Sequence, residues 1–255
     1  GTACCPSNIA RLVSSLGNYI YNTSANGIWV NLFIGSNTSV HLGKNEVALN
    51  MESGLPWKGE VTLQVNPSKK QAFALHVRLP GWLKEPVPGN LYRYADDQQL
   101  QATIRVNGMP VEYQVQNGYA VIQRTWKKGD AVSVSLPMEV RRVVTIDSVV
   151  QNRDRVALQY GPMVYCVEGA DNKNNVFGLI VPSTTKFTTE YRADLLGGVN
   201  TIKFTTPVIT TGSDGASVST QQKEIIAIPY FSWNNRGAND MQVWLPSAIR
   251  KLQIN

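Results

Sequence analysis

The sequence predicts an all-β protein of two antiparallel β-sandwich domains preceded by one helix. Three observations support this: short segments in which apolar and polar residues alternate, turn signals that recur about every 10 to 12 residues, and one segment of helical periodicity at the start. The chain has 255 residues, of which 43% are apolar and 16% charged. It can therefore bury a large core, which excludes general disorder.

The helical segment runs from Pro6 to Ile20 within the predicted first region, residues 1–25. Pro6 suits a first helical turn because its missing N–H would be unpaired there. Apolar residues recur at spacings of three and four and form one face; they are Ile9, Leu12, Val13, Leu16, Tyr19 and Ile20. No second helical pattern follows, so we expect the packing partners of this helix to lie outside the sequence.

The first sandwich is predicted over residues 26–140. Its strands are predicted at residues 28–34, 47–51, 61–65, 73–79, 104–106, 111–115, 119–122 and 132–136. The clearest turns are Asn107-Gly108 and Asn117-Gly118, because both residues of an Asn-Gly turn tolerate a positive φ. Residues 80–101 are rich in Pro, Gly, Asp and Gln and are predicted to form a loop.

The second sandwich is predicted over residues 141–255. Its strands are predicted at residues 156–160, 163–167, 176–181, 201–205, 225–228 and 241–245. Residues 182–222 are rich in Ser, Thr, Gly and Asp and predict weak edge strands and long loops. The polar loop around Arg236 could pair that side chain with a carboxylate or a neighbouring domain.

Charge and hydropathy exclude two classes of partner. The net charge is +6, but the basic residues are scattered, and the densest runs are Lys69-Lys70, Lys127-Lys128 and Arg141-Arg142. A nucleic-acid site usually needs a longer basic stripe, so we expect no nucleic-acid partner. No run of about 18 apolar residues is present, which predicts no membrane-spanning helix and no membrane partner.

The three cysteines are Cys4, Cys5 and Cys166. An odd count with two adjacent residues does not indicate a disulfide framework, and Cys166 lies in an apolar run typical of a buried thiol. Cys4 and Cys5 begin the predicted helix, where unpaired N–H groups and the helix dipole favour a thiolate. Two adjacent thiolates can bind one zinc ion, but zinc needs about four ligands. Two ordinary thiols remain the alternative.

Seven aromatic residues lie near predicted strand ends or turns: Trp57, Trp82, Trp126, Tyr230, Phe231, Trp233 and Trp244. Exposed aromatics on a β-sandwich can stack on sugar rings, although large aromatics also close sandwich edges and domain borders. No pair of carboxylates in an apolar setting marks a conventional glycosidase. Nucleophile-elbow serine, phosphate-binding glycine and metalloprotease motifs are also absent from the sequence.

Several motifs together resemble glycoside hydrolase family 127. Residues 4–11 (CCPSNIAR) and 28–36 (IWVNLFIGS) carry the resemblance, and the later motifs LPWKG, LPGW and IPYFSWNNRG fit it as well. The resemblance extends over essentially the whole chain and implies the C-terminal portion of such an enzyme. It implies an upstream (α/α)6 barrel, whose last helix would be the opening helix here, and the activity of a retaining β-L-arabinofuranosidase.

The resemblance also assigns roles to the thiols. Cys4 would be the catalytic nucleophile and a zinc ligand, and Cys5 a second zinc ligand. The remaining ligands, a Glu and another Cys, and the acid/base Glu would lie upstream of residue 1. Zinc would then belong to the full-length parent and not be retained by this chain, which we expect to be inactive alone. Implied partners are arabinose-containing glycans and the upstream barrel. The alternative function is a carbohydrate-binding or scaffolding module.

Overall fold

The computed structural model describes residues 4–173 and 176–248. These residues divide into two compact units. The first unit comprises the described residues up to Leu83 together with Leu100–Pro137. The second comprises Lys84–Gln99 together with the described residues from Met138 onward. Residues 84–99, which the sequence analysis assigns to the first sandwich, therefore pack with the second unit.

The opening helix, α1, spans Cys4–Ser15 and continues as a 3-10 turn over Leu16–Tyr19. The helix begins two residues before the segment predicted from the apolar periodicity, Pro6 to Ile20, and otherwise lies within it. Near its end, the Ser15 hydroxyl donates to the carbonyl oxygen of Arg11 at 2.9 Å, a local bond that competes with helix continuation. No residue of α1 is buried, and the first buried residue in the described part of the chain is Ile20. The chain thus presents the apolar face of α1 to solvent.

Twelve strands lie between residues 21 and 135. In chain order they are β1 (Tyr21–Ser24), β2 (Gly27–Val30), β3 (Ser36–Leu42), β4 (Asn45–Ser53), β5 (Glu60–Pro67), β6 (Gln71–Arg78), β7 (Tyr92–Tyr94), β8 (Thr103–Val106), β9 (Met109–Pro110), β10 (Gln114–Gln116), β11 (Tyr119–Trp126) and β12 (Asp130–Ser135). All of them except β7 belong to the first unit. There they form a five-stranded sheet, β1-β2-β6-β11-β10, and a six-stranded sheet, β3-β4-β5-β12-β8-β9. All neighbours are antiparallel except β2 and β6, which are parallel.

The two sheets of the first unit bury one common hydrophobic core. In β5, Val61, Leu63 and Val65 are buried and alternate with exposed residues, as period-two patterning requires. The core combines such residues from both sheets, and its largest member is Trp126, whose indole Nε1 donates to the Phe73 carbonyl oxygen at 3.0 Å. The predicted fold class, all-β with mainly antiparallel pairing, is confirmed.

Both Asn-Gly turns are confirmed. The φ angles are 52° and 79° at Asn107 and Gly108, and 51° and 82° at Asn117 and Gly118, as a two-residue hairpin requires. Asn107 also fixes the neighbouring strand. Its Nδ2 donates to the Asp130 carboxylate at 2.9 Å and its Oδ1 accepts from the Ala131 N–H at 2.9 Å. The turn therefore helps to set the register between β8 and β12.

The second unit adds eight strands and a short helix. They are β13 (Val140–Thr145), β14 (Arg155–Tyr160), β15 (Met163–Glu168), α2 (Gly169–Asn172), β16 (Thr188–Arg192), β17 (Val199–Thr211), β18 (Val218–Pro229), β19 (Met241–Gln242) and β20 (Leu245–Pro246). The main sheet has the order β16-β17-β18-β15-β14-β13-β7, with β19 beside β15 and β20 beside β14. Every pair in it is antiparallel.

Three local predictions were wrong. Residues 176–181 form only one bridge, Leu179 to Val208, because their apolar side chains fill the core instead of extending the sheet. Residues 182–222 are predicted as weak edge strands and long loops, but β17 and β18 extend beyond the strands predicted at 201–205 and 225–228 and form one long hairpin, since Thr-rich segments pair well as strands. The predicted loop 80–101 contains β7, which pairs with β13. No helix among the described residues is long and apolar enough to span a membrane.

Candidate functional site

The thiols of Cys4 and Cys5 lie side by side in the first turn of α1. Both residues are exposed, and their Sγ atoms are 3.7 Å apart. Two side chains stabilise this turn by donating to the Cys4 carbonyl oxygen, Ser7 Oγ at 3.1 Å and Asn8 Nδ2 at 2.9 Å. Arg11 in turn donates to the Asn8 amide oxygen at 3.2 Å. Local hydrogen bonds thus hold the backbone that carries both sulfurs.

The separation of the two sulfurs fits one zinc ion. Two tetrahedral Zn–S bonds of about 2.3 Å place their sulfurs about 3.8 Å apart. The donor set is nevertheless incomplete within residues 4–173 and 176–248, where no group of three His, Cys, Asp or Glu side chains is arranged to hold a metal. The described chain therefore offers two of the roughly four ligands that zinc needs.

Neither histidine supplies a further ligand. His76 in β6 stacks on Trp29 with ring centroids 4.0 Å apart and lies edge-on to Tyr119. Burial lowers the pKa of its imidazole. His41 lies in β3 opposite Glu46 of β4. Both histidines belong to the sheets of the first unit and serve packing or pairing there.

The third cysteine has a different environment. Cys166 in β15 is 1% exposed, and burial, reinforced by the negative charge of Glu168, raises the pKa of its thiol to about 12. The prediction of a buried core thiol is confirmed. Cys4 and Cys5 are therefore the two cysteines whose thiols solvent or a metal can reach.

The aromatic residues separate into two groups. Trp126 is fully buried, and Trp57, Trp82 and Trp244 are partly buried, as expected for aromatics that close cores and edges. Tyr230, Phe231 and Trp233 are exposed, by 46%, 65% and 36%. They lie in and just after a 3-10 turn, Tyr230–Ser232, and the rings of Tyr230 and Trp233 stack with centroids 6.1 Å apart.

A buried charge cluster fixes the loop that follows these aromatics. Arg236 donates to both oxygens of Asp171, at 2.6 and 2.5 Å, and also to the Glu168 carboxylate. Glu168 has no exposed side-chain area and accepts two further bonds, from Asn239 Nδ2 at 3.1 Å and the Asn234 N–H at 3.3 Å. The predicted pairing of Arg236 with a carboxylate is confirmed. Its two partners, 65 and 68 residues away, carry no signal in the sequence.

Electrostatics favour the charged forms of Glu168 and Arg236. Burial alone would raise the pKa of Glu168, but the hydrogen bonds from Arg236 and Asn239 outweigh burial and leave that pKa below its usual value. The hydrogen bonds that Arg236 makes with Asp171 and Glu168, above all those with Asp171, raise the pKa of Arg236. The cluster therefore anchors the loop that carries Asn234, Arg236 and Asn239 to β15 and α2 through charge-assisted hydrogen bonds.

Comparison with known proteins gives the family. Residues 27–138 match the family model for the middle domain of β-L-arabinofuranosidases of glycoside hydrolase family 127. Residues 140–246 match the model for the C-terminal domain of the same family. The chain belongs to glycoside hydrolase family 127. Both thiols precede the first of these matches, whereas the Arg236 cluster lies within the second.

Known members of family 127 align along almost the entire chain. A non-reducing end β-L-arabinofuranosidase of Bifidobacterium longum subsp. longum is 28% identical over 96% of this chain. A GH127 β-arabinofuranosidase of known structure is 36% identical with a TM-score of 0.91, and a GH127 β-L-arabinofuranosidase from Geobacillus stearothermophilus T6 is 33% identical with a TM-score of 0.84; each covers 96% of the chain. The chain spans 37 to 39% of the length of these relatives.

Proposed function

We propose that this chain is the middle and C-terminal part of a retaining β-L-arabinofuranosidase that uses a zinc-bound cysteine as its nucleophile. Cys4 is the nucleophile and a zinc ligand in this proposal, and Cys5 is a second ligand. The observation that carries it is the exposed thiol pair on α1, whose Sγ atoms are 3.7 Å apart. The names of the relatives support the substrate class.

Zinc would be shared between this chain and residues outside it. Cys4 and Cys5 supply two sulfur donors, and the family resemblance places a Glu and another Cys upstream. When bound, zinc would keep a ligating cysteine as the thiolate, which is the nucleophilic form. The described residues contain no complete set of ligands, so we propose that this chain alone does not retain zinc and is inactive.

The proposed reaction has two steps at Cys4. Its sulfur attacks the anomeric carbon of the arabinofuranoside, the bond from that carbon to the leaving-group oxygen breaks, and an upstream glutamic acid protonates the oxygen. Water then attacks the same carbon, the carbon–sulfur bond breaks, and the deprotonated glutamate accepts the proton of the water. Two inversions give net retention of configuration.

The apolar face of α1 supports a packing partner outside this chain. Ile9, Leu12 and Val13 are 62%, 56% and 65% exposed, although helices with such a face normally bury it. We propose that this face packs against the other helices of an upstream (α/α)6 barrel. The same contact would position the thiol pair next to the remaining ligands.

The test compares the full-length protein with the 255-residue chain on p-nitrophenyl β-L-arabinofuranoside, with bound zinc measured by mass spectrometry. We expect Cys4→Ser to lower kcat about 10³-fold or more in the full-length protein and Cys5→Ser to lower bound zinc. Cys166→Ala, the matched control, should change neither. Full activity of the Cys4→Ser protein, or hydrolysis by the 255-residue chain that depends on Cys4, would contradict the proposal.

A further inference from the structure

An open cleft lies on the second unit beside the exposed aromatics. Its volume is about 630 Å³, and it is lined by Arg155, Val164, Tyr230 and residues 241–244. A cleft of this size accommodates a small ligand or a short oligomer. It is distant in sequence from the thiol pair, and no residue of α1 lines it.

Two aromatic rings that line this cleft each stack on a second aromatic ring. Tyr230 stacks on Trp233 with an interplanar angle of 13°, and Trp244 stacks on Tyr92 with ring centroids 5.9 Å apart and an angle of 21°. The 3-10 turn that carries Tyr230 leads directly into the loop fixed by the Arg236 cluster. The aromatic surfaces are therefore ordered before any ligand binds, which reduces the entropic cost of binding.

The polar groups of the cleft suit a neutral ligand rich in hydroxyls. Arg155 lies at one wall, where its Nη1 donates to the Trp244 carbonyl oxygen at 3.0 Å. Gln242 Oε1, which has no hydrogen-bond donor among the described residues, is buried, so a ligand in the open cleft does not reach it. Among the described residues, no Asp or Glu lines the cleft. The Arg155 guanidinium, which carries five N–H donors, can donate further hydrogen bonds to ligand hydroxyls, whereas a cationic ligand would find no counter-charge.

We propose that this cleft is a non-catalytic carbohydrate subsite that binds a neutral oligosaccharide. Sugar C–H faces would pack on the rings of Tyr230 and Trp244, and sugar hydroxyls would accept hydrogen bonds from Arg155. The combination of aromatic rings with a guanidinium donor favours a sugar over a purely apolar ligand. The choice of an arabinose-containing oligosaccharide rests on the proposed function, but the subsite itself does not depend on Cys4.

The test is isothermal titration of the 255-residue chain with arabinan-derived oligosaccharides. We expect saturable binding that Tyr230→Ala weakens about three- to tenfold, the effect of losing one aromatic contact. Tyr230→Phe keeps the ring and should bind within about twofold of the unchanged chain. Phe231→Ala is the matched control, because Phe231 is an exposed neighbour that does not line the cleft.

The Cys4→Ser variant separates this proposal from the proposed function. Cys4→Ser should bind the oligosaccharides with unchanged affinity in the 255-residue chain, which we propose to be inactive. Absence of saturable binding at millimolar concentrations would overturn the subsite. Equal weakening by Phe231→Ala and Tyr230→Ala would also overturn it, because the cleft would then not be the binding surface. Binding by the 255-residue chain but not by the full-length protein would show that polypeptide covers the cleft, which likewise contradicts the proposal.

Discussion

At the scale of single residues, burial decides what each cysteine of this chain can do. The Cys4 and Cys5 thiols are exposed and adjacent, so solvent, a metal or a substrate can reach them. Burial raises the pKa of Cys166 to about 12, so this thiol stays protonated at neutral pH and is poorly nucleophilic. A cysteine thiol is thus accessible to other molecules at Cys4 and Cys5 but is part of the hydrophobic core at Cys166.

Arg236→Met tests the buried charge cluster at the same scale. The substitution leaves Glu168, which has no exposed side-chain area, without its cationic partner. We expect the free energy of unfolding of the second unit to fall by about 3 to 5 kcal/mol at pH 7. Denaturant titration measures this effect. Arg93→Met is the control, because Arg93 is exposed in the same unit, and a comparable loss there would contradict the assignment.

The effect of Arg236→Met should depend on pH in a defined direction. The pKa of Glu168 in the folded chain lies below its usual value of 4.5, so its stabilising contribution is present above that value. It is lost as the pH falls through the folded-state pKa. The difference in unfolding free energy between the original chain and the variant should therefore be constant near neutrality and shrink at acidic pH. A difference that grows on acidification would contradict this account.

At the scale of elements, short-range sequence signals gave the most accurate predictions. An Asn-Gly pair determines its own backbone conformation, so both hairpin turns are where the sequence puts them. The strands predicted at residues 201–205 and 225–228 lie within β17 and β18, but their extension into one long hairpin was not predicted, because the added residues of β18 are polar and show no apolar alternation. In β18, residues 218–222 are all exposed.

Gly118→Ala tests the requirement of a positive φ. Gly118 has a φ of 82°, and an added Cβ would meet no atom within 4 Å, so the expected cost is backbone strain alone. We expect the free energy of unfolding of the first unit to fall by about 1 kcal/mol. Gly17→Ala is the matched control, because it also adds a methyl group in open space but without a positive φ. Denaturant titration should show no loss of stability for Gly17→Ala.

At the scale of the whole molecule, chain order and packing order differ. Residues 84–99 come between two segments of the first unit but pack with the second, where β7 pairs with β13. The buried Arg141 depends on this segment: its guanidinium is paired with Asp96, donates to the Gln98 carbonyl oxygen at 3.0 Å, and lies 3.5 Å from the centre of the Tyr94 ring.

A polypeptide of residues 138–248 alone should therefore be less stable than the same unit in the intact chain. Without residues 84–99, Arg141 loses the ion pair, the hydrogen bond and the aromatic contact. We expect a loss of about 3 to 5 kcal/mol in the free energy of unfolding, measured by denaturant titration. Linking residues 84–99 to residue 138 through a flexible spacer should restore most of the stability. Equal stability of the two polypeptides would contradict the assignment of this segment to the second unit.

The sequence by itself determined the features that depend on neighbouring residues. Spacings of three and four placed α1, alternation placed most strands, and Asn-Gly pairs placed two turns. The adjacency of Cys4 and Cys5 likewise predicts that both thiols can reach one ion, since one peptide bond holds them together. Each of these signals acts within a few residues, where the backbone geometry leaves few alternatives.

Only the tertiary structure decided which distant residues meet. The cleft joins Arg155, Tyr230 and Trp244, and Trp244 stacks on Tyr92 from a segment that the sequence predicts as a loop. Arg236 and Glu168 are 68 residues apart in the sequence. Nothing local to the Arg236 loop selects Glu168 over the other carboxylates of the chain. The order of the strands and the burial of side chains decide which of these residues meet. Both are set when the core closes as a whole, and no local sequence pattern encodes them.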